Sequence, residues 1–183
     1  MPKFNLILIT GLPGTGKSTL ARQIASRYRF ALIAKDAIKE AAMDVLGWDA
    51  AQSRMLSDVS FAVLFALSRQ FLAAGLRVVL EGNFRAGEHE AALRAARSAA
   101  GPSVIQILCR VDEAERRARI SSRKSDPANH PGHRAAAQMA RVAACDAFLE
   151  LPGERLLFDS TRDCERALQV LIASLDALVA ESG

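Results

Sequence analysis

At 183 residues, 50% hydrophobic and 24% charged with a net charge of +4, the chain has the composition of one ordinary globular domain. Cys109, Cys145 and Cys164 are odd in number and form no C-x-x-C pair. That spacing argues against structural zinc or a disulfide framework and for free thiols in a reducing cytoplasm. No apolar run is expected to approach the ~20 residues of a membrane span, and the N-terminus enters a strand directly instead of a signal peptide.

Residues 4–10 form a short apolar run of the kind a buried parallel strand shows. The run leads into Gly11-Leu12-Pro13-Gly14-Thr15-Gly16-Lys17-Ser18, which fits G-x-x-x-x-G-K-[ST] in full, with Thr19 next. Downstream, Leu20, Ile24 and Tyr28 recur four apart on one helical face. Strand, glycine loop and helix together are the context that this phosphate-binding motif requires. Gly11, Gly14 and Gly16 let successive backbone N–H groups turn inward, and the helix adds its positive end. Lys17 supplies a point charge for the β- and γ-phosphates, Ser18 a hydroxyl for Mg²⁺, and Thr19 a further hydroxyl. Gly11, Pro13, Gly14, Thr15, Gly16, Lys17, Ser18 and Thr19 are therefore the candidate nucleotide-binding residues.

Residues 30–34 read as a second strand, followed by a helix over 37–46 that stops at Gly47. Asp36 stands where an N-cap belongs. It also falls at the carboxyl end of a strand, the rim where open parallel sheets bind ligands. A long helix is expected over 52–74, with Phe61, Leu64, Phe65, Phe71 and Leu72 on a core face; Trp48 and Met55 are candidates to line a substrate pocket. Residues 77–84 form the third strand, carrying Glu81 and then Asn83 to the same rim. A carboxylate there is in the Walker-B position, able to orient Mg²⁺ through water or to contact substrate.

A helix over 88–100 and a strand over 104–109 follow. The helix over 112–123 begins acidic and ends basic, as the helix dipole favours, with Glu113–Arg117 and Glu115–Arg119 pairs four apart. Arg119 and Arg123 lead into the polar loop 125–133, which contains His130 and His133 and reads as a short lid over about 123–133. Arg119 is suited to stack on adenine and Arg123 to neutralise the transferring phosphoryl group. A helix over 134–148, a strand over 156–159, a rim loop over 160–163 and a closing helix over 163–181 complete the chain.

These motifs resemble those of P-loop small-molecule kinases, the group that includes AAA_33 proteins, zeta toxin, chloramphenicol phosphotransferase and the kinase domain of polynucleotide kinase. The resemblance rests on 11–19, Ala34-Lys35-Asp36-Ala37-Ile38, Leu80-Glu81-Gly82-Asn83-Phe84 and Arg119-Ile120-Ser121-Ser122-Arg123. It implies one α/β domain over 1–183, a three-layer α/β/α sandwich with a five-stranded parallel sheet in the order 2-3-1-4-5. It further implies an ATP- and Mg²⁺-dependent phosphotransferase in which Asp36 is the general base for an acceptor hydroxyl. Lys17, Asp36 and Arg123 are then the catalytic candidates; Asp36, Glu81 and Asn83 face substrate, and Ser18 and Glu81 face the metal. Glu81 departs from the more usual Asp. A guanine-specific N-K-x-D motif is missing, which disfavours a regulatory GTPase. A small-molecule hydroxyl is the expected acceptor, with a nucleic-acid 5′-hydroxyl permitted by the basic charge but not favoured; a nucleotide-binding module without chemistry is the remaining alternative. No membrane partner is expected, and monomer and homodimer both stay open.

Overall fold

The computed structural model describes residues 4–47, 52–100, 104–125, 130 and 146–180. Five strands are present: β1 (Leu6–Gly11), β2 (Ala31–Ala34), β3 (Val78–Glu81), β4 (Val104–Arg110) and β5 (Glu154–Asp159). All pair in parallel, in the order β2-β3-β1-β4-β5. The described helices are α1 (Lys17–Tyr28), α2 (Lys35–Leu46), α3 (Ser53–Ala73), α4 (Glu90–Ala100), α5 (Glu113–Ser125) and α6 (Cys164–Ala180). This is the expected doubly covered parallel sheet.

Alternation along β1 divides the core in two. Leu6 and Leu8 point to one face, where Phe61, Leu64 and Phe65 of α3 and Leu93 of α4 pack with Phe84. Ile7 and Ile9 point to the other, against Leu20 and Ile24 of α1 and Leu171 and Leu175 of α6. Because β1 is central and apolar on both sides, its carboxyl end is held rigidly where the glycine loop begins. Each fully buried Leu or Ile there contributes about 1.5–3 kcal/mol relative to exposure.

Several element boundaries differ from the sequence reading. α2 starts at Lys35, its N-cap is Ala34 without a side-chain cap, and Asp36 lies inside the first turn, so Asp36 is not the capping residue. The chain passes from β2 into α2 without a loop, which leaves no turn for an Asp cap to close. β3 ends at Glu81, and Gly82 leaves the sheet after its N–H donates to the Ile9 carbonyl (3.2 Å). α3 is long and apolar enough to span a membrane by length and composition. Runs broken by Arg54, Asp58 and Arg69 concealed this from the sequence reading, and the Phe61, Leu64 and Phe65 face marks α3 as a helix packed on the sheet. Residues 146–148, assigned to a helix from sequence, are irregular; 134–145, most of the lid segment, Trp48, His133 and Cys145 lie outside the described residues.

Candidate active site

The loop between β1 and α1 has the geometry its glycines foretell. Gly11 has φ +141°, and a Cβ on it would stand 2.3 Å from the Cys109 carbonyl oxygen on β4. Gly14 has φ +90°, and a Cβ there would meet Ile120 at 3.1 Å and Arg116 at 3.2 Å. The backbone thus runs tightly against β4 on one side and α5 on the other. The Thr15 hydroxyl donates to the Leu12 carbonyl (2.9 Å), and the buried Lys17 Nζ donates to the same carbonyl (2.9 Å). Lys17 is therefore folded back onto the loop it would serve.

Glu81 closes that space from the adjacent strand. Its carboxyl is 2% exposed, and burial pushes its pKa up, opposed chiefly by the Lys17 ammonium. The Ser18 hydroxyl donates a hydrogen bond to it, and Asp36 adds a like charge in range. One ammonium, one hydroxyl and two carboxylates thus converge from three elements: α1, β3 and the first turn of α2. A hydroxyl beside a carboxylate is an oxygen donor set suited to a hard divalent cation such as Mg²⁺. The positive-φ glycine cradle at the start of α1 suits a phosphate chain. Among the described residues no cluster of three or more His, Cys, Asp or Glu offers a site for a transition metal.

Asp36 is half-exposed and paired with Lys35, whose buried Nζ lies 3.0 Å from Asp36 Oδ1. Lys35 was not marked from sequence; a lysine preceding an acid gives no pattern until the fold buries it. Asn83 stands partly buried just after β3.

On the opposite rim, Arg119 is bound to Glu115 (2.8 Å) and to the Ser160 hydroxyl (3.0 Å) and carbonyl (3.2 Å), joining α5 to the loop after β5. Arg123 is exposed at the end of α5. The expected Glu113–Arg117 and Glu115–Arg119 pairs are present. Arg116, in the same charged helix, is buried. It is held by both Glu113 oxygens (2.7 and 2.9 Å), and it donates to the Pro13 carbonyl (3.4 Å) from beneath the loop. His130 lies 3.0 Å from Asp44 of α2, and Met55 is 58% exposed on α3.

A parallel 2-3-1-4-5 sheet with a glycine cradle after its central strand, a lysine and hydroxyl at the following helix, and a carboxylate ending the next strand define a kinase-like P-loop NTPase domain. Residues 6–152 match the family model described as AAA domain, AAA_33, and the chain belongs to that family. A candidate kinase from Chloroflexus aurantiacus is similar over nearly the whole length, at 30% identity and TM-score 0.84, covering 95% of this chain and 97% of that one. The fold is also shared with an APS kinase from Mycobacterium tuberculosis solved with AMPPNP and APS (20% identity, TM-score 0.56, 96% and 99% covered). A gluconokinase from Sinorhizobium meliloti shares it as well (15% identity, TM-score 0.59, 99% and 97% covered). No curated protein matches the sequence.

Proposed function

We propose that the protein transfers the γ-phosphoryl group of MgATP to a hydroxyl of a small-molecule or nucleotide-like acceptor, with Asp36 as general base. The observation that carries this reading is the convergence of Lys17, Ser18, Glu81 and Asp36 at the carboxyl ends of β1, β2 and β3. When bound, MgATP supplies the transferable group and the cation that neutralises its oxygens. The loop 11–19 holds the phosphates through backbone N–H groups, and Lys17 leaves the Leu12 carbonyl to meet them. Ser18 and, through water, Glu81 would hold Mg²⁺. Asp36, paired with the buried Lys35 Nζ at 3.0 Å, accepts the acceptor's proton at its carboxylate. Arg123 and Arg119 serve the phosphoryl group and the adenine side. The free Cys109 and Cys164 thiols suit a cytoplasmic setting.

ATP turnover with Mg²⁺ against a panel of hydroxyl compounds and a 5′-hydroxyl oligonucleotide tests the reading. Stimulation by one acceptor that falls about 10²-fold in Asp36→Asn, with ATP affinity unchanged, is the expected result. Equal turnover in that variant would remove Asp36 from the role. A response to the oligonucleotide alone, with steep salt dependence, would replace the small molecule by a nucleic-acid acceptor.

A further inference from the structure

Two cationic side chains flank one aromatic ring on the acceptor side of the rim, and a third lies one helical turn from the first. Lys35 and Lys39 stand one turn apart on α2, an arrangement in which like charges repel. Lys35 Nζ is 5.7 Å from the centre of the Phe61 ring, and the Arg85 guanidinium, arriving after β3, is 5.9 Å from the same centre. His89 stacks on that ring at 4.0 Å and accepts the Arg85 backbone N–H at Nδ1 (3.0 Å). Burial and Arg85 lower its pKa to about 4, so it adds no charge near neutrality.

The acids facing this group pair with only part of it. Lys35 is bound to Asp36, and one Arg85 nitrogen, Nη2, is bound to Glu88. Asp58 faces His89, and Glu81 faces Lys17. Lys39 is bonded to the Ser53 hydroxyl (2.8 Å), and burial and Lys35 lower its pKa. Arg85 is 89% buried by its 11% side-chain exposure, and its Nε has no hydrogen-bond partner among the described residues. A buried guanidinium N–H without an acceptor is costly, and a bound anion would supply one. The sheet order separates this cluster, at the β2–β3 ends, from the Arg119–Ser160 contact beside β5. An anion bound here is therefore beside Asp36 and away from the adenine side.

Resting on the phosphotransferase reading above, we infer that the acceptor is a small hydroxy compound carrying an anionic group, a carboxylate or a phosphate, recognised by Lys39, Arg85 and Lys35. Lys35 and Arg85 both lie within 6 Å of one ring centre. Anion and reacting hydroxyl accordingly belong to one compact molecule.

Matched acceptor pairs test this: glycerate against glycerol, ribonate against ribitol, and ribose 5-phosphate against ribose. In coupled ATP-turnover assays the anionic members should be preferred by about tenfold or more in kcat/KM, the effect of one charge-assisted bond. That preference should fall toward unity in Lys39→Gln and in the milder Arg85→Lys. The carboxylate and phosphate arms identify which anion is used. Acceleration by neutral members equally well would overturn the inference while leaving the phosphotransferase reading intact. If no member accelerates turnover, that reading fails for these acceptors and titration calorimetry with MgAMPPNP bound decides the inference. Heat from an anionic member, lost in Lys39→Gln, supports it; no binding by any anionic member overturns it.

Discussion

Replacing Gly11 by alanine tests whether the P-loop is positioned by backbone contact with β4. The added Cβ would stand 2.3 Å from the Cys109 carbonyl oxygen, 3.2 Å from the Cys109 carbonyl carbon and 3.2 Å from the Thr15 hydroxyl. The first two are backbone atoms in register with Gly11 across the β1–β4 pair, so no side chain can swing aside. Overpacking of this kind costs about 1–3 kcal/mol, and φ +141° adds about 1–3 kcal/mol of strain for any residue with a Cβ. Together they destabilise the fold by about 2–6 kcal/mol. Gly16→Ala is the control, since its φ is +88° but no heavy atom lies within 4 Å of the added carbon. Left-handed strain alone then costs about 1–2 kcal/mol. With an m-value of about 2 kcal/mol/M, the urea midpoint should fall about 1–3 M for Gly11→Ala and under about 1 M for Gly16→Ala. A Gly11→Ala midpoint within about 0.5 M of wild type, or a larger loss in Gly16→Ala, would refute the close-contact argument.

Acid stability should carry a contribution from His89. Its folded pKa of about 4 lies below the ordinary 6.5, so the stabilisation is complete above pH 6.5 and is lost as pH falls toward 4. The loss amounts to about 3 kcal/mol. In His89→Gln, urea midpoints measured between pH 7 and 4 should fall less steeply than in wild type. Arg116→Lys keeps the charge but loses the two-pronged bond to Glu113 and the support under Pro13. ATP affinity measured by calorimetry should weaken about three- to tenfold, and unchanged affinity would relegate Arg116 to the helix surface. The Cys109 thiol is buried, with its pKa pushed up to about 12, whereas Cys164 is exposed. Iodoacetamide followed by peptide mapping should label Cys164 in the native protein and Cys109 only after unfolding.

The roles that sequence made legible are those borne by contiguous residues. The loop 11–18 announces its own backbone geometry, and apolar runs ending at its flanks declare a buried parallel strand and a helix. Strand-end acids could be marked because a parallel sheet delivers every carboxyl end to one rim. The boundaries at Asp36 and Phe148 were misjudged because local propensity is decided by what the adjoining segment packs on.

What only tertiary structure decided are pairings between segments distant along the chain. Arg116 reads as one charge among many until α5 is laid under Pro13 and Gly14, 103 residues away along the chain in the case of Pro13. Lys35, Lys39, Arg85 and His89 share no motif; Phe61 of α3 brings Lys35, Arg85 and His89 to one ring, and Ser53 of the same helix holds Lys39. Phosphate binding is written locally, since it depends on backbone N–H groups that one short loop supplies. Acceptor recognition is not, since it depends on side-chain charges whose distances and burial exist only once the sheet has assembled.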